Sequence, residues 1–144
     1  MYVLTPAGFN TFFILKYMEI TFEGGKVVTA LYNGHAIRTD QPLDNGGSNS
    51  APAPFDLYLA SIATCAGIYV KSFCDKRGIP TDKIKVFQNV VWDEATDLPR
   101  EITIEINLPA DFPERYRESV INAAELCKVK KSIAKPPQFK IITS

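Results

Sequence analysis

The chain has 144 residues, 46% of them hydrophobic and 22% charged, and its sixteen basic and sixteen acidic side chains cancel. That length fits one domain, residues 1–144, with a core large enough to fold, and the composition lies far from the charge-rich chains that stay disordered. The balanced charge gives no field to hold a polyanion or an anionic bilayer, so neither nucleic acid nor membrane is expected as a partner.

The first stretch, MYVLTPAGFNTFFILKYMEI, has no basic residues ahead of its apolar ones. Pro6, Gly8, Asn10 and Lys16 interrupt any run, so it fails as a signal peptide or a membrane span. From Phe12 to Phe22 the residues Phe12, Ile14, Met18, Ile20 and Phe22 share one face of an extended strand. Met18, just before EITFEGGKVV, is a candidate alternative translation start, which makes residues 1–17 an optional extension or a swapped strand. Gly24-Gly25 supplies a tight turn into Lys26–Tyr32, and Asn33-Gly34 is a second hairpin signal leading to HAIRTD. A three-strand meander is predicted.

QPLDNGGSNSAPAP, dense in Pro, Gly, Asn and Ser, reads as a loop within the domain. A helix is predicted from near Pro54, where a first-turn proline is tolerated and Asp56 favours the positive end of the helix dipole. Between Leu57 and Val70 the sequence is hydrophobic nearly all round, yet this 14-residue apolar segment is shorter than the ~20 residues a bilayer needs. A buried central helix running to about Lys76 is expected, ended by Arg77-Gly78-Ile79-Pro80. KIKVFQNVVWDE and REITIEINLP then flank ATDLP as a half-buried hairpin, with Ile102, Ile104, Ile106 and Leu108 alternating strictly with polar residues. Phe112-Pro113 opens a second helix whose apolar stripe, Tyr116, Val120, Ala123 and Ala124, ends at Cys127. KVKKSIAKPP suits a short helical turn and QFKIITS a last strand. The order β-β-β-α-β-β-α-β predicts an α+β fold with antiparallel sheets and two main helices.

Three cysteines, Cys65, Cys74 and Cys127, are too few and too scattered for a zinc site or a secreted disulfide scaffold, and they indicate a reducing, cytoplasmic compartment. A cysteine inside an apolar helix ordinarily packs as a small hydrophobe. Two local features point the other way. Cys127 precedes Lys128, Lys130 and Lys131, and a helix restarting there would add positive potential that favours a thiolate. Thr64 and Gly67 leave room for close backbone approach beside Cys65. Cys74, near a helix end, reads as packing; His35, the only histidine, as a turn or pocket-wall residue; Trp92 as core or interface.

The segment HAIRTDQPLDNGGSNSAPAPFDLYLASIATC, followed further on by AAELCKVKKSI, resembles the OsmC/Ohr family of organic hydroperoxide reductases. The likeness covers roughly Met18 to the C-terminus and rests on the D-Q-P…G-G…P-x-P-F-D-L loop, the small-residue-rich helix reaching Cys65, and the helix ending in Cys-x-V. It implies an intertwined homodimer with active sites formed between subunits, in which Cys65 is the peroxidatic cysteine and Cys127 the resolving one. The implied activity is reduction of a small-molecule hydroperoxide to an alcohol, with an external dithiol as reductant and no metal, haem or other cofactor. Well-studied branches activate the thiol with an arginine held by a glutamate directly after the helix-opening proline. Here that position is Phe55, and Asp56 follows one place later, either as a catalytic carboxylate or as a helix N-terminal one. Arg38 is the first choice for the cation and Lys26 the second. The departure keeps two other expectations open: a binding protein for an apolar or acyl ligand on the same fold, and a thiol sensor that does not turn over.

Overall fold

The computed structural model describes residues 17–143. The chain divides into two compact units, the first ending at Leu57 and the second running from Tyr58.

In the first unit, β1 (Glu19–Gly24), β2 (Val27–Tyr32) and β3 (His35–Thr39) form an antiparallel meander in the order β1-β2-β3. The turns are those the glycines predict: Gly24 and Gly25 have φ of 112° and 58°, and Asn33 and Gly34 have φ of 49° and 79°, backbone that suits the right-handed twist of a two-residue hairpin. The registers Thr21↔Thr29 and Thr29↔Arg38 put Thr29 in the middle of the sheet, where it is buried. The strand predicted from Phe12 begins at Glu19: Tyr17 and Met18 are not in strand, and the predicted part before them lies, with residues 1–16, outside the described residues.

After β3 the loop folds around one side chain. Asp40 is fully buried, and its carboxylate accepts five hydrogen bonds: from the Gln41 N–H (2.8 Å), the Ser48 N–H and hydroxyl (3.2 and 2.7 Å) and the Ser50 N–H and hydroxyl (3.0 and 2.8 Å). These donors, led by the Ser50 amide, hold the Asp40 carboxyl well below the usual carboxylate range. A single 3-10 turn, Leu43–Asn45, lies within the loop. At Gly47 a Cβ would meet the Gln41 carbonyl oxygen at 1.9 Å, so the loop closes only with glycine there.

The central helix α1 (Pro54–Asp75) starts at the predicted proline. Asp56, its third residue, accepts the Ala53 N–H at 2.9 Å, the reciprocal half of a capping box. The helix ends in a turn where Arg77 and Ile79 donate to the Cys74 carbonyl and Gly78 has φ of 64°.

In the second unit, β4 (Lys85–Asp93) and β5 (Leu98–Asn107) form the expected antiparallel hairpin. Its turn is fixed by Asp93, whose carboxylate accepts the N–H groups of Ala95 and Thr96. The alternation read from the sequence holds: Ile102, Ile104 and Ile106 turn inward between exposed neighbours. A 3-10 turn (Glu114–Tyr116) leads into α2 (Arg117–Glu125), and α3 (Lys128–Ala134) follows after a break at Leu126-Cys127. The core joins Ala66, Val70 and Cys74 of α1 to Phe112, Val120 and Ala124, with Ile104 and Ile106 of β5 against them. Full burial of an aliphatic side chain such as Val70 or Val120 contributes ~1.5–3 kcal/mol.

Two expectations need correction. The helix is apolar nearly all round, but only Ile62, Ala66, Val70 and Cys74 are buried, a single stripe at four-residue spacing, while Ile68 on another face is 57% exposed. One layer of neighbours covers one stripe. With its polar ends counted, α1 reaches 22 residues, so by length and composition it could cross a bilayer, and the buried stripe shows it serving as a core helix. Second, QFKIITS forms no strand among the described residues; Phe139 and Ile141 are 88% and 97% exposed. A strand needs a ladder partner, and no described strand pairs with this segment.

Candidate active site

The second unit brings together the two cysteines singled out from the sequence. Cys65, half-buried on α1, has its thiol close to the Cys127 thiol and to the backbone amides of Val129 and Lys128, which act on its ionisation. Cys127 is completely buried, with Sγ 4.0 Å from the Ile62 carbonyl oxygen of α1. All three cysteines are free thiols.

The break between α2 and α3 makes this arrangement. Cys127 leaves helical geometry and becomes the N-cap of α3, its sulfur accepting the Lys130 N–H at 3.4 Å as a serine hydroxyl would. The next two amides, of Lys128 and Val129, belong to the open first turn of α3 and need acceptors from outside the helix. The Cys65 sulfur is placed to be one.

These contacts set the ionisation of Cys65. The Val129 amide is the largest influence; burial opposes it, and the Cys127 thiol, the Lys128 amide and the Lys128 charge then add to it, so the thiol lies below its ordinary value. The positive potential foreseen after Cys127 is present, and it serves Cys65. Lys130 is engaged elsewhere, ion-paired to Glu125 at 2.8 Å. Cys74, lower on the same helix, is wholly buried in the core and its thiol is pushed up, chiefly by that burial and also by the Asp75 carboxylate.

The other residues singled out belong to the first unit. Arg38 on β3 has its Nε 3.3 Å from the Glu23 carboxylate and its Nη1 3.0 Å from the Ser50 hydroxyl. Glu23 also accepts the Thr29 hydroxyl. An arginine held by a glutamate is therefore present, with the glutamate supplied by β1 instead of the helix start. Sequence reasoning missed Glu23 because the pair forms through the β1-β2-β3 register, across fifteen positions of chain. Asp56 spends one carboxylate oxygen on the Ala53 amide. Lys26 lies in the first hairpin turn with its stem against Gly46, and His35 opens β3 exposed to solvent. Trp92 on β4 is 43% exposed. The residues that sequence reasoning did not assign to Cys65 are Lys128 and Val129, whose signal was the Cys-Lys-Val-Lys-Lys run. Among the described residues no group of three or more His, Cys, Asp or Glu side chains is placed to hold a metal ion.

Comparison with known proteins places the chain in a family. A search of curated proteins found no match. Among solved structures, a Psychrobacter arcticus 273-4 protein named for osmotic stress induction and a detoxification response superposes with a TM-score of 0.70 at 23% identity, covering 85% of this chain and 90% of that one. An OsmC-like protein from Mycoplasma pneumoniae gives 0.65 at 13% identity, with 85% and 89% covered. A Legionella pneumophila protein, named an organic hydroperoxide resistance protein OsmC and predicted redox protein, gives 0.51 at 16% identity, with 83% and 90% covered. At these identities the likeness is one of fold, and it confirms the α+β architecture with antiparallel sheets. The family model described as OsmC-like protein matches residues 47–142, from the end of the Asp40 loop through both cysteines, and the chain therefore belongs to the OsmC-like proteins.

Proposed function

We propose that the protein is a thiol peroxidase that reduces organic hydroperoxides to alcohols. The observation that carries this reading is the Cys65 thiol, held against Cys127 and the first amides of α3 so that its ionised form is favoured. The Cys65 thiolate attacks the distal peroxide oxygen and the O–O bond breaks; Cys65 becomes a sulfenic acid and the alkoxide leaves as the alcohol after taking a proton. The Cys127 sulfur, close by and otherwise a helix cap, attacks the sulfenic sulfur, releasing water and forming a disulfide. An external dithiol returns both cysteines to thiols. The apolar face of α1 supports an organic substrate over hydrogen peroxide, and the names of two fold neighbours agree with that substrate class.

In this reading the protein works as a homodimer in a reducing, cytoplasmic compartment. Support comes from the large apolar side chains left exposed near the C-terminus, Phe139, Ile141 and Ile142, in the segment with strand-forming sequence. In this reading Arg38, held by Glu23, is the activating cation, and Asp56 serves either as a catalytic carboxylate or as the helix N-terminal one that accepts the Ala53 amide. The deciding experiment is turnover of cumene hydroperoxide against hydrogen peroxide with dithiothreitol as reductant. Faster turnover of cumene hydroperoxide is expected; no turnover of either, with Cys65 and Cys127 verified as free thiols, refutes the proposal. Phe55 at the family's glutamate position favours the ligand-binding alternative, and native mass spectrometry showing a retained apolar ligand together with an unreactive Cys65 is the result that would establish it.

A further inference from the structure

The second unit holds a cavity of about 740 Å³ at the C-terminal end of α1, well away from Cys65. From Cys65 to Asp75 the helix advances by ~15 Å at 1.5 Å per residue, so the two places are separate. The volume is in the range of small-molecule sites, ~300–1,000 Å³. Its frame is stiff: Pro80, Pro109 and Pro113 line it, and the Gly78 turn and the buried Phe112 ring complete the wall.

Its charges are unequal. Lys76, Arg77, Lys83 and Arg115 face two carboxylates, Asp82 and Asp111. Lys83 and Asp111 neutralise each other at 3.0 Å. Arg77 and Arg115 have no carboxylate partner among the described residues, whereas Arg38 and Arg117 are both ion-paired. The unpaired guanidiniums are nevertheless positioned. Arg77 lies 3.7 Å over the Phe73 ring and 5.3 Å from the Tyr116 centroid, and its Nη1 donates to the Phe73 carbonyl at 3.0 Å. Arg115 lies 4.7 Å from the Tyr116 centroid. A guanidinium resting its face on a ring keeps edge N–H groups free, and those edges match the two oxygens of a carboxylate or phosphate. Fixing the cations before a ligand arrives lowers the ordering cost of binding.

We propose that this cavity binds a small organic anion, with its carboxylate or phosphate on the edges of Arg77 and Arg115 and an apolar body against Phe112, Tyr116 and the prolines. The test is titration of the full-length 15N-labelled protein with phenylacetate, phenyl phosphate and the neutral benzyl alcohol, read by amide shifts. Saturable shifts centred on Gly78, Phe112 and Tyr116 are expected with the anions, with benzyl alcohol weaker by about tenfold or more. The tighter anion identifies the headgroup. Arg115→Glu, with its fold verified by circular dichroism, lowers anion affinity by about tenfold or more; Arg115→Lys, which keeps the charge but loses the paired N–H edge, lowers it by a smaller factor, and Arg100→Glu, the same charge change on β5, leaves it unchanged. Equal binding of benzyl alcohol, absence of saturation at millimolar ligand, shifts centred on Cys65, or equal losses in Arg100→Glu and Arg115→Glu would each overturn the proposal.

Discussion

Cys65 and Cys74 occupy one helix and are the same residue, yet their surroundings drive them in opposite directions. Cys74 faces Val120 and Ala124 in the core, where loss of water favours the neutral thiol. Cys65 faces the start of α3, where two amides with no helical acceptor and a lysine offset the burial. The helix decides neither outcome; what stands opposite each sulfur does. The lesson concerns where to look for reactivity in this fold: at the break between α2 and α3, not in the composition of α1.

The contrast has opposite pH signatures. A thiol whose folded pKa lies below its unfolded value loses its proton first in the folded state, so Cys65 adds stability that is complete above the unfolded value, near ~8.5. That contribution is lost as pH falls through the lower folded value. Cys74 holds its proton longer when folded. Its contribution is present below the unfolded value and is lost as pH rises toward the higher folded one.

The widest separation between the two thiols is in turnover. Under the proposed mechanism Cys65→Ser removes the nucleophile and is expected to lower peroxidase kcat by roughly 10⁴-fold or more, while Cys74→Ser in folded protein keeps turnover near wild type. Equal losses in the two variants would erase the contrast. Cys127→Ser probes the neighbour in place of the nucleophile: the first equivalent of peroxide is still reduced, steady-state turnover falls, and the Cys65 sulfenic acid accumulates, which trapping with dimedone and mass spectrometry detects. A smaller effect sharpens the account of activation. The iodoacetamide alkylation rate of Cys65 has its pH midpoint below that of a free thiol, Lys128→Gln moves it upward, and native Cys74 stays unmodified throughout. Any additional upward move in Arg38→Gln measures that arginine's share.

The remaining differences are of stability. Cys74→Ala leaves a small core cavity and costs about 1–2 kcal/mol in denaturant unfolding without altering the alkylation midpoint of Cys65. Asp56→Ala removes the carboxylate at the other end of α1 and costs ~0.5–1 kcal/mol. A loss several times larger would mean that Asp56 holds more than the Ala53 amide.

Much of this molecule was readable from local pattern. Gly24-Gly25 and Asn33-Gly34 placed the meander, the Ile102–Leu108 alternation placed β5, and Pro54 and Gly78 bracketed α1, because each signal acts within a few residues. What escaped the reading depends on distant partners. The hold of Glu23 on Arg38 needs three strands in register. The role of Asp40, one letter in a loop of Asn, Gly and Ser, needs the chain to return with Ser48 and Ser50. The final strand failed for a related reason: alternation in QFKIITS describes a side-chain pattern, while strand formation requires another edge. Within the site, the two cysteines were legible through family likeness, but the amides that activate Cys65 were not, since backbone donors carry no letter of their own.

The Asp40 loop carries a consequence for how this chain tolerates changes of length. Surface loops ordinarily accept inserted residues at small cost. Residues 40–50 form a ring drawn closed by a single carboxylate, with Gly47 pressed on the Gln41 carbonyl, so an added residue between Gln41 and Ser48 would pull donors off Asp40 and strand a buried charge. Tags, reporters or permuted ends therefore belong at the exposed Glu94–Asp97 turn, whose geometry is local to Asp93. In the Asp40 loop, spacing is as much a part of the sequence's meaning as residue identity.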